Sequence, residues 1–230
     1  MQRAYYARTA NAYDRAHAHE GDAHYFALSF LLGALDFLEA TSVLEVGAGT
    51  GRALLHLTRY RPELTVRGIE PVDELREAAY AKGLSRGILL AGDGNTLAFA
   101  DQEFDAVCAF GVLHHVPRPD QVIREMLRVA RRAIFISDSN NFGQGSPITR
   151  TVKQAINAVH LWRLANWIRT RGRGYQITEG DGLAYSYSVF NDYELIRRHC
   201  RSVHILNTAE AGVNPYRSAS HVAMLGIKGG

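Results

Sequence analysis

The stretch Val43-Leu-Glu-Val-Gly-Ala-Gly-Thr-Gly-Arg52 decides the fold of this chain. It begins as a short apolar run of strand type, breaks into three alternating glycines and passes into Ala53-Leu-Leu-His-Leu57, which has the pattern of a helix start. A strand, a tight glycine turn and a helix N-terminus let the backbone lie directly against a ligand. We expect a side chain at Gly47, Gly49 or Gly51 to hold that ligand away.

The spacing of these glycines argues against a nicotinamide-binding turn. The dinucleotide fingerprint places its third glycine one position beyond Gly51, where this chain has Arg52. Taken alone, the triplet is also compatible with an ordinary turn between a strand and a helix. The segments that follow it decide between the two.

Composition limits the classes of protein to which the chain can belong. Its 230 residues, 47% of them hydrophobic, can bury the core of one domain. A net charge of +3, with no long basic run, disfavours nucleic acid as a partner. Two cysteines, Cys108 and Cys200, exclude a disulfide framework. We expect a cytoplasmic protein with no membrane partner, because no apolar stretch reaches the length of a membrane span, and we expect no metal site.

Short apolar strands and helices alternate after the glycine turn. The pattern predicts strands over 64–70, 87–91, 104–110 and 133–137, with helices over 71–82 and 121–130. This alternation is typical of a parallel sheet covered by helices on both faces. Ligands of such sheets bind beyond the carboxyl ends of the strands, where the glycine turn, Glu70, Asp93 and residues 110–115 all fall.

Two acidic residues at these strand ends suit a nucleoside. Glu70 follows the turn by about twenty residues, where a carboxylate can accept hydrogen bonds from both hydroxyls of a ribose. Asp93, between two glycines, could accept a hydrogen bond from an adenine amino group. The structural alternatives are an acid beside a helix N-terminus for Glu70 and a turn-forming Asx residue for Asp93.

Four motifs together resemble the class I S-adenosylmethionine-dependent methyltransferases, in the small-molecule branch of methyltransferase type 11. They are LEVGAGTGR, GIEP, AGDGNTLAFADQEFDAV and FGVLHHVPRPDQVIREMLRV, in continuous order over about 41–138. The resemblance implies an α/β fold: a Rossmann-like, seven-stranded, mostly parallel sheet with an antiparallel C-terminal hairpin and helices on both faces. It also implies S-adenosyl-L-methionine as cofactor and in-line methyl transfer to a small-molecule acceptor.

The resemblance also implies roles for individual residues. Those expected to line the methionine part of the cofactor are Glu45, Gly47, Ala48, Gly49 and Gly51. Those expected around the ribose, the adenine and the sulfonium are Glu70 at the diol, Pro71 along the adenine, Asp93 with Gly94 at the adenine amino group, and Phe110.

Two histidines follow the fourth predicted strand, at the rim where an acceptor should bind. We predict that His114 or His115 acts as a base or orients the acceptor, with His114 the first choice. The alternative is that a histidine here only holds the loop. A base is needed only when the acceptor is a poorly acidic hydroxyl or a protonated amine.

The remainder of the chain predicts one domain over 1–230, with accessory parts around the core. We expect an N-terminal helical cap over 1–40, the cofactor-binding core over 41–138, an inserted helical lid over 140–190 and a closing helix and strands over 191–230. Tyr13 in the cap is a predicted cofactor-binding residue that lies across the mouth of the pocket; the alternative is that it packs against the flank of the domain. In the lid, the predicted acceptor contacts are Tyr185, Tyr187 and Asn140.

The leading functional hypothesis is methylation of a hydroxyl on a sugar or natural product. The alternatives are carbon methylation of a quinone-like ring, and a binding module that keeps the cofactor and has lost the chemistry. RNA methylation would need more positive charge than the chain carries. A homodimer is compatible with the sequence.

Overall fold

The computed structural model describes residues 23–178, 182–208 and 214–229. The helices are α1 (Ala23–Phe37), α2 (Arg52–Tyr60), α3 (Asp73–Ala81), α4 (Pro119–Val129), α5 (Pro147–Ala158), α6 (Trp162–Arg169) and α7 (Tyr193–His199). The strands are β1 (Ser42–Val46), β2 (Thr65–Glu70), β3 (Leu89–Ala91), β4 (Phe104–Phe110), β5 (Ala130–Ser139), β6 (Tyr175–Thr178), β7 (Gly182–Tyr185), β8 (Ser202–Asn207) and β9 (His221–Ile227). Short 3₁₀ turns occupy Leu113–His115, Asn141–Gly143 and Val189–Asp192.

Seven of the strands form one sheet in the order β3-β2-β1-β4-β5-β9-β8. The pairs from β3 to β5 are parallel, and β9 runs antiparallel between β5 and β8. This is the predicted mostly parallel sheet with an antiparallel C-terminal hairpin, which is confirmed. The chain leaves β1 in one direction to β2 and β3 and then returns to β4 on the other side. The switch in strand order therefore lies at the carboxyl end of β1, where doubly wound folds bind ligands.

Alternation along β1 divides the apolar core between the two faces of the sheet. Val43 packs with α1, α2 and α3 on one face, whereas Leu44 and Val46 pack with α4 and α7 on the other. Successive strand side chains point to opposite faces, so Glu45 belongs to the face of Val43. It is the only charged residue of β1.

Helix α4 illustrates how the sequence sets these elements. Its first residue is Pro119, whose missing N–H is not needed at a helix start, and Asp120 follows in the first turn. Five apolar side chains recur at helical spacing and are buried against the sheet: Val122, Ile123, Met126, Leu127 and Val129. Burial of side chains of this size contributes about 1.5–3 kcal/mol each, so α4 is held mainly by its inner face.

The segment between β5 and α7 contains α5, α6 and the separate two-stranded sheet of β6 and β7. The alternation over 184–190 predicts a strand through that range, and this prediction is wrong in its extent. Strand β7 ends at Tyr185, and the chain then turns at Val189–Asp192, where the Ser188 hydroxyl accepts a hydrogen bond from the amide of Phe190. Neither α5 nor α6 buries a side chain fully. In the part of the chain that the structure describes, no helix has the length and apolarity to cross a bilayer.

Candidate active site

The three glycines after β1 all have positive φ, at 72°, 53° and 75° for Gly47, Gly49 and Gly51. Their surroundings differ. A Cβ on Gly47 would lie 2.6 Å from a methyl of Val112, and one on Gly51 would lie 2.7 Å from a methyl of Leu84, whereas one on Gly49 would meet no atom of the described residues within 4 Å. Packing therefore requires glycine at Gly47 and Gly51, and only Gly49 has room for a side chain. That a side chain at each of the three would hold a ligand away stays a prediction.

The open space in front of Gly49 belongs to a cavity of about 260 Å³ at the carboxyl ends of the strands. Its walls bring together seven of the residues that the sequence predicts for the site: Gly47, Gly49, Glu70, Pro71, Asp93, Phe110 and His115. Topology explains the convergence, because β1, β2, β3 and β4 are neighbours and all end at this edge.

Glu70 ties the glycine turn to the end of β2. Its carboxylate accepts hydrogen bonds from the amide of Gly49 at 3.0 Å and from the amide of Val72 at 2.9 Å. The side chain is buried yet lies on the cavity wall. A carboxylate at this position can accept hydrogen bonds from ligand hydroxyls.

Asp93 forms the Asx turn that was one of its two alternatives. Its Oδ1 accepts hydrogen bonds from the backbone amide of Asn95 at 2.9 Å and from the Asn95 side chain at 2.7 Å. Asp93 also lines the cavity, so the turn holds its carboxyl group at the cavity wall.

The remaining predicted cofactor residues stand behind the cavity surface or outside the described part of the chain. Ala48 is buried, and its amide donates to the carbonyl of Ile69 at 2.9 Å. Gly94 packs on the core, since a Cβ there would lie 2.9 Å from Val46. Tyr13 lies outside the described residues, so its place at the mouth or on the flank stays a prediction.

Glu45 is fully buried beneath the glycine turn. Its Oε2 has no hydrogen-bond partner among residues 23–178, 182–208 and 214–229. Burial raises the pKa of this carboxyl from 4.5 to about 8. The positive charge of Arg52 acts to lower the pKa, and the negative charge of the nearby Glu70 acts to raise it. An acid with an unpaired buried oxygen is costly to the fold, which points to a role in binding.

His115 and His114 follow β4 with their rings 3.8 Å apart, but they occupy different environments. His115 lines the cavity, and its Nδ1 lies 2.8 Å from the carbonyl oxygen of Leu183. A carbonyl only accepts, so Nδ1 carries the proton and Nε2 holds the lone pair of the neutral ring. Leu183 belongs to β7, so the inserted segment orients this histidine.

His114 is buried and does not line the cavity. Its Nδ1 donates to Oδ1 of Asp138 at 2.6 Å. The Asp138 carboxylate also accepts from the amides of Leu113 at 2.7 Å and Ser139 at 2.6 Å. Burial alone would raise the pKa of Asp138, but the charge of His114 and these hydrogen bonds hold it at about 2. The geometry gives His114 a loop-holding position and places the half-buried His115 on the cavity wall.

A second cavity of about 330 Å³ shares Val116 and Pro117 with the first. The inserted segment supplies most of its other walls, including Arg163, Asn166, Trp167 and Tyr185. The two cavities adjoin directly after His115.

Of the lid residues predicted to contact an acceptor, Tyr185 and Tyr187 line the second cavity and Asn140 lines neither. The Tyr187 hydroxyl is buried and donates to Asp192 at 3.0 Å. The Asn140 amide donates to the carbonyls of Pro215, Tyr216 and Ala219. Asn140 therefore holds the chain before β9 in place.

Comparison with known proteins agrees with this geometry. Residues 44–135 match the family model described as a methyltransferase domain. This match assigns residues 44–135 to the methyltransferase family. The matched range runs from β1 to β5 and includes the glycine turn, Glu70, Asp93 and both histidines.

Individual relatives resemble part of this methyltransferase. A phosphatidylethanolamine N-methyltransferase of Cereibacter sphaeroides is 34% identical over 50% of this chain and 57% of its own length. A demethylmenaquinone methyltransferase of a Roseiflexus species is 36% identical over 38% and 37%. The chain thus spans roughly half or less of the length of these relatives. A solved Thermotoga maritima structure, titled a SAM-dependent methyltransferase and possible histamine N-methyltransferase, has a TM-score of 0.62 at 18% identity over 100% of both chains. It shows the fold.

The cofactor of this methyltransferase is S-adenosylmethionine, and the residues present suit it. A Cβ at Gly49 would project into the cavity, two carboxylates stand at its wall, and behind the turn the carboxyl group of Glu45 has a buried oxygen without a hydrogen-bond partner in the described part of the chain. These groups can take the methionine part, the ribose hydroxyls and the adenine amino group of the cofactor in the order that the motifs imply.

Two contributors to the site of the methyltransferase were missed by sequence reasoning. Asp138 is not among the predicted site residues, although an acid at the end of a strand beside the histidine turn is a usable signal. His24 of α1 is not among them either. Its Nε2 would lie 3.1 Å from a Cβ on Gly111, which lines the cavity, and only the packing of α1 brings it there.

Asp138→Asn is expected to destabilise the methyltransferase by about 2–4 kcal/mol, because an amide cannot accept all three hydrogen bonds of the buried carboxylate. The folded pKa of Asp138 is about 2, below the ordinary 3.8. The stabilisation from its charge is therefore present above about pH 4 and is lost as the pH falls towards 2, by about 2 kcal/mol. Urea unfolding at pH 7 and pH 3 measures both effects. Equal pH dependence in the wild type and the variant would contradict the assignment.

Proposed function

We propose that this methyltransferase transfers a methyl group from S-adenosylmethionine to a hydroxyl of a small-molecule acceptor bound in the second cavity. The observation that carries the proposal is the adjacency of the two cavities at Val116 and Pro117, directly after His115. One cavity carries the groups that suit the donor. The other has aromatic and polar walls supplied by the inserted segment.

When bound, the cofactor supplies an electrophilic methyl group. The chain must then align an acceptor with that methyl and exclude water. Its first contribution is positional, since the walls of the second cavity come from α6 and β7 on one side and from the turn after β4 on the other. The inserted segment thus covers the acceptor.

The second contribution is proton transfer. A hydroxyl acceptor must lose its proton as the new bond forms, and Nε2 of His115 holds a lone pair when Nδ1 donates to Leu183. His114 supports this turn through Asp138 without lining either cavity. We therefore assign the base to His115 and a positioning role to His114, which reverses the preference drawn from the sequence.

His115→Gln is expected to lower kcat by about 10²–10⁴-fold while leaving cofactor affinity within about twofold, since the base acts on the acceptor. Steady-state kinetics with calorimetric cofactor binding provides the measurement. An unchanged kcat in the variant would remove His115 from this role. His56→Gln, at a histidine on α2 outside both cavities, is the matched control.

The direct test of the function is transfer of labelled methyl from the cofactor to a panel of acceptors. Phenols, sugars and hydroxylated natural products form the first arm, quinone precursors the second and primary amines the third. Labelling of hydroxyls supports the proposal. Labelling confined to ring carbon favours the second candidate, which the aromatic wall of Trp167, Tyr185 and Tyr187 also suits. Cofactor binding without transfer to any arm would indicate a binding module.

A further inference from the structure

The positive charge of the chain is concentrated in the inserted segment. Residues 139–178 contain six basic residues and no acidic residue. The other 190 residues hold the remaining 20 basic and all 23 acidic ones, a net charge of −3. The six basic residues are Arg150, Lys153, Arg163, Arg169, Arg171 and Arg173.

These cations are not neutralised by carboxylates of the described residues. No ion pair there involves any of the five arginines, and Arg169 hydrogen-bonds instead to the side chain of Asn166 at 2.8 Å. The pKa of Lys153 is lowered mainly by its partial burial, and to a smaller extent by the positive charges of Arg169 and Arg150. Lys153, Arg150 and Arg169 are therefore close enough to repel one another, and a polyanionic surface would relieve that repulsion.

The same segment turns an apolar stripe towards solvent. On α5 and its end the exposed apolar residues recur at spacings of four, three and four, and on α6 they continue at three and four. The larger ones are Ile148, Val152, Val159, Leu161, Leu164 and Ile168. Ile148 is 78% exposed and Ile168 is 63% exposed. Amphipathic helices in a folded domain normally bury such a stripe, so this one is open to a partner outside the chain.

We propose that the outer face of α5 and α6 is a docking surface for an anionic lipid bilayer. Helices of this composition lie in the plane of the interface, with their apolar residues among the acyl chains and their arginines at the lipid phosphates. RNA would engage the arginines but not the aliphatic stripe, because single-stranded bases stack on aromatic or guanidinium planes. A second copy would bring six like charges against six.

The position of α6 connects this surface with the site. Arg163, Asn166 and Trp167 line the second cavity, while Leu164 and Ile168 of the same helix are on the exposed stripe. Docking would therefore bring the mouth of that cavity to the bilayer surface. This replaces the expectation of no membrane partner, and it requires no helix that crosses the membrane.

Flotation of the full chain with vesicles tests the proposal without any need for methyl transfer. We expect binding to vesicles of phosphatidylcholine with about one third phosphatidylglycerol, and at least tenfold weaker binding to phosphatidylcholine alone or in high salt. Arg169→Gln/Arg171→Gln/Arg173→Gln should weaken binding about a hundredfold, because each interfacial cation contributes about 1 kcal/mol. Ile148→Ser/Val152→Ser, which leaves all charges in place, should weaken it at least tenfold.

Two control variants keep the test specific. Arg59→Gln/Arg198→Gln/Arg201→Gln removes three exposed arginines elsewhere, and Phe37→Ser removes an apolar side chain that is 75% exposed on α1. Both should bind vesicles as the wild type does. No binding to anionic vesicles, equal loss in the controls, or tighter binding of a labelled RNA that survives Ile148→Ser/Val152→Ser would overturn the proposal. So would a dimer on sedimentation that Ile148→Ser/Val152→Ser dissociates.

Discussion

Gly49→Ala is expected to lower the affinity for S-adenosylmethionine at least about a hundredfold while the protein stays folded. The added methyl would meet no atom of residues 23–178, 182–208 and 214–229 within 4 Å, so it has room beside these residues in the free protein. That room is the cavity itself, and a ligand lying against the Gly49 backbone would have to move away. Loss of about 3 kcal/mol of contacts is a hundredfold in affinity. The φ of 53° costs an alanine about 1–2 kcal/mol.

Calorimetric titration of the cofactor, together with urea unfolding, checks this expectation. Gly83→Ala is the matched control, because Gly83 also has a positive φ and open space around it but lies outside the cavity. It should lose similar stability and bind normally. Gly47→Ala should instead lose more stability, since its Cβ would overlap Val112. Wild-type affinity in Gly49→Ala would show that the cofactor does not approach this glycine.

Glu45→Gln is expected to weaken cofactor binding about a hundredfold at pH 7.5 and to abolish most of its pH dependence. Glu45 titrates at about 8 in the free protein, so it is largely protonated at neutral pH. An ammonium group at the cofactor would favour the ionised form and lower this pKa, which releases a proton on binding. Wild-type affinity should then rise up to about tenfold per pH unit between pH 5.5 and 7.

The same substitution is expected to stabilise the free protein. The folded pKa of about 8 lies above the ordinary 4.5, so the stability present below pH 4.5 is lost as the pH rises towards 8. The loss by pH 7 is of the order of 3 kcal/mol, and glutamine avoids it. Urea unfolding of both proteins at pH 5 and pH 7.5 measures the difference. Lower stability of the variant at pH 7.5 would contradict a buried, neutral Glu45.

Calorimetry in two buffers of different ionisation enthalpy counts the protons released. The wild type should release close to one proton at pH 6.5 and the variant close to none. Glu77→Gln removes an exposed carboxylate whose partner is Arg86, and this control should change neither the affinity nor the proton count. Identical proton release in wild type and Glu45→Gln would exclude Glu45 from the ammonium site.

The fold and the donor side of the site follow from local features of the sequence. Alternating apolar strands and helices predict the parallel sheet, because the spacing of the apolar residues in each element indicates both its type and its buried face. The ends of parallel strands meet at one edge, so Gly49, Glu70 and Asp93 could be placed together without any knowledge of the packing. The strand ends can be located from the local sequence pattern, without knowledge of contacts between distant residues.

Only the tertiary structure decided what each of these residues touches. The three glycines are equivalent in sequence, and Val112 and Leu84, from distant parts of the chain, separate the two packing positions from the ligand-facing one. The adjacent histidines are likewise equivalent in sequence. In the structure they differ because His114 hydrogen-bonds to Asp138, whereas His115 is oriented by the carbonyl of Leu183. Contacts across many residues of chain depend on how the elements pack, which periodicity does not encode.

The inserted segment also separates what the local sequence predicts from what the packing decides. Its sequence alone predicted a helical lid and placed six basic residues and no acidic one over 139–178. The direction in which the apolar stripe of α5 and α6 points was decided by packing, because an amphipathic pattern predicts a buried face whether or not a core is available to bury it. Here the core of the sheet is already covered, and the stripe faces outward.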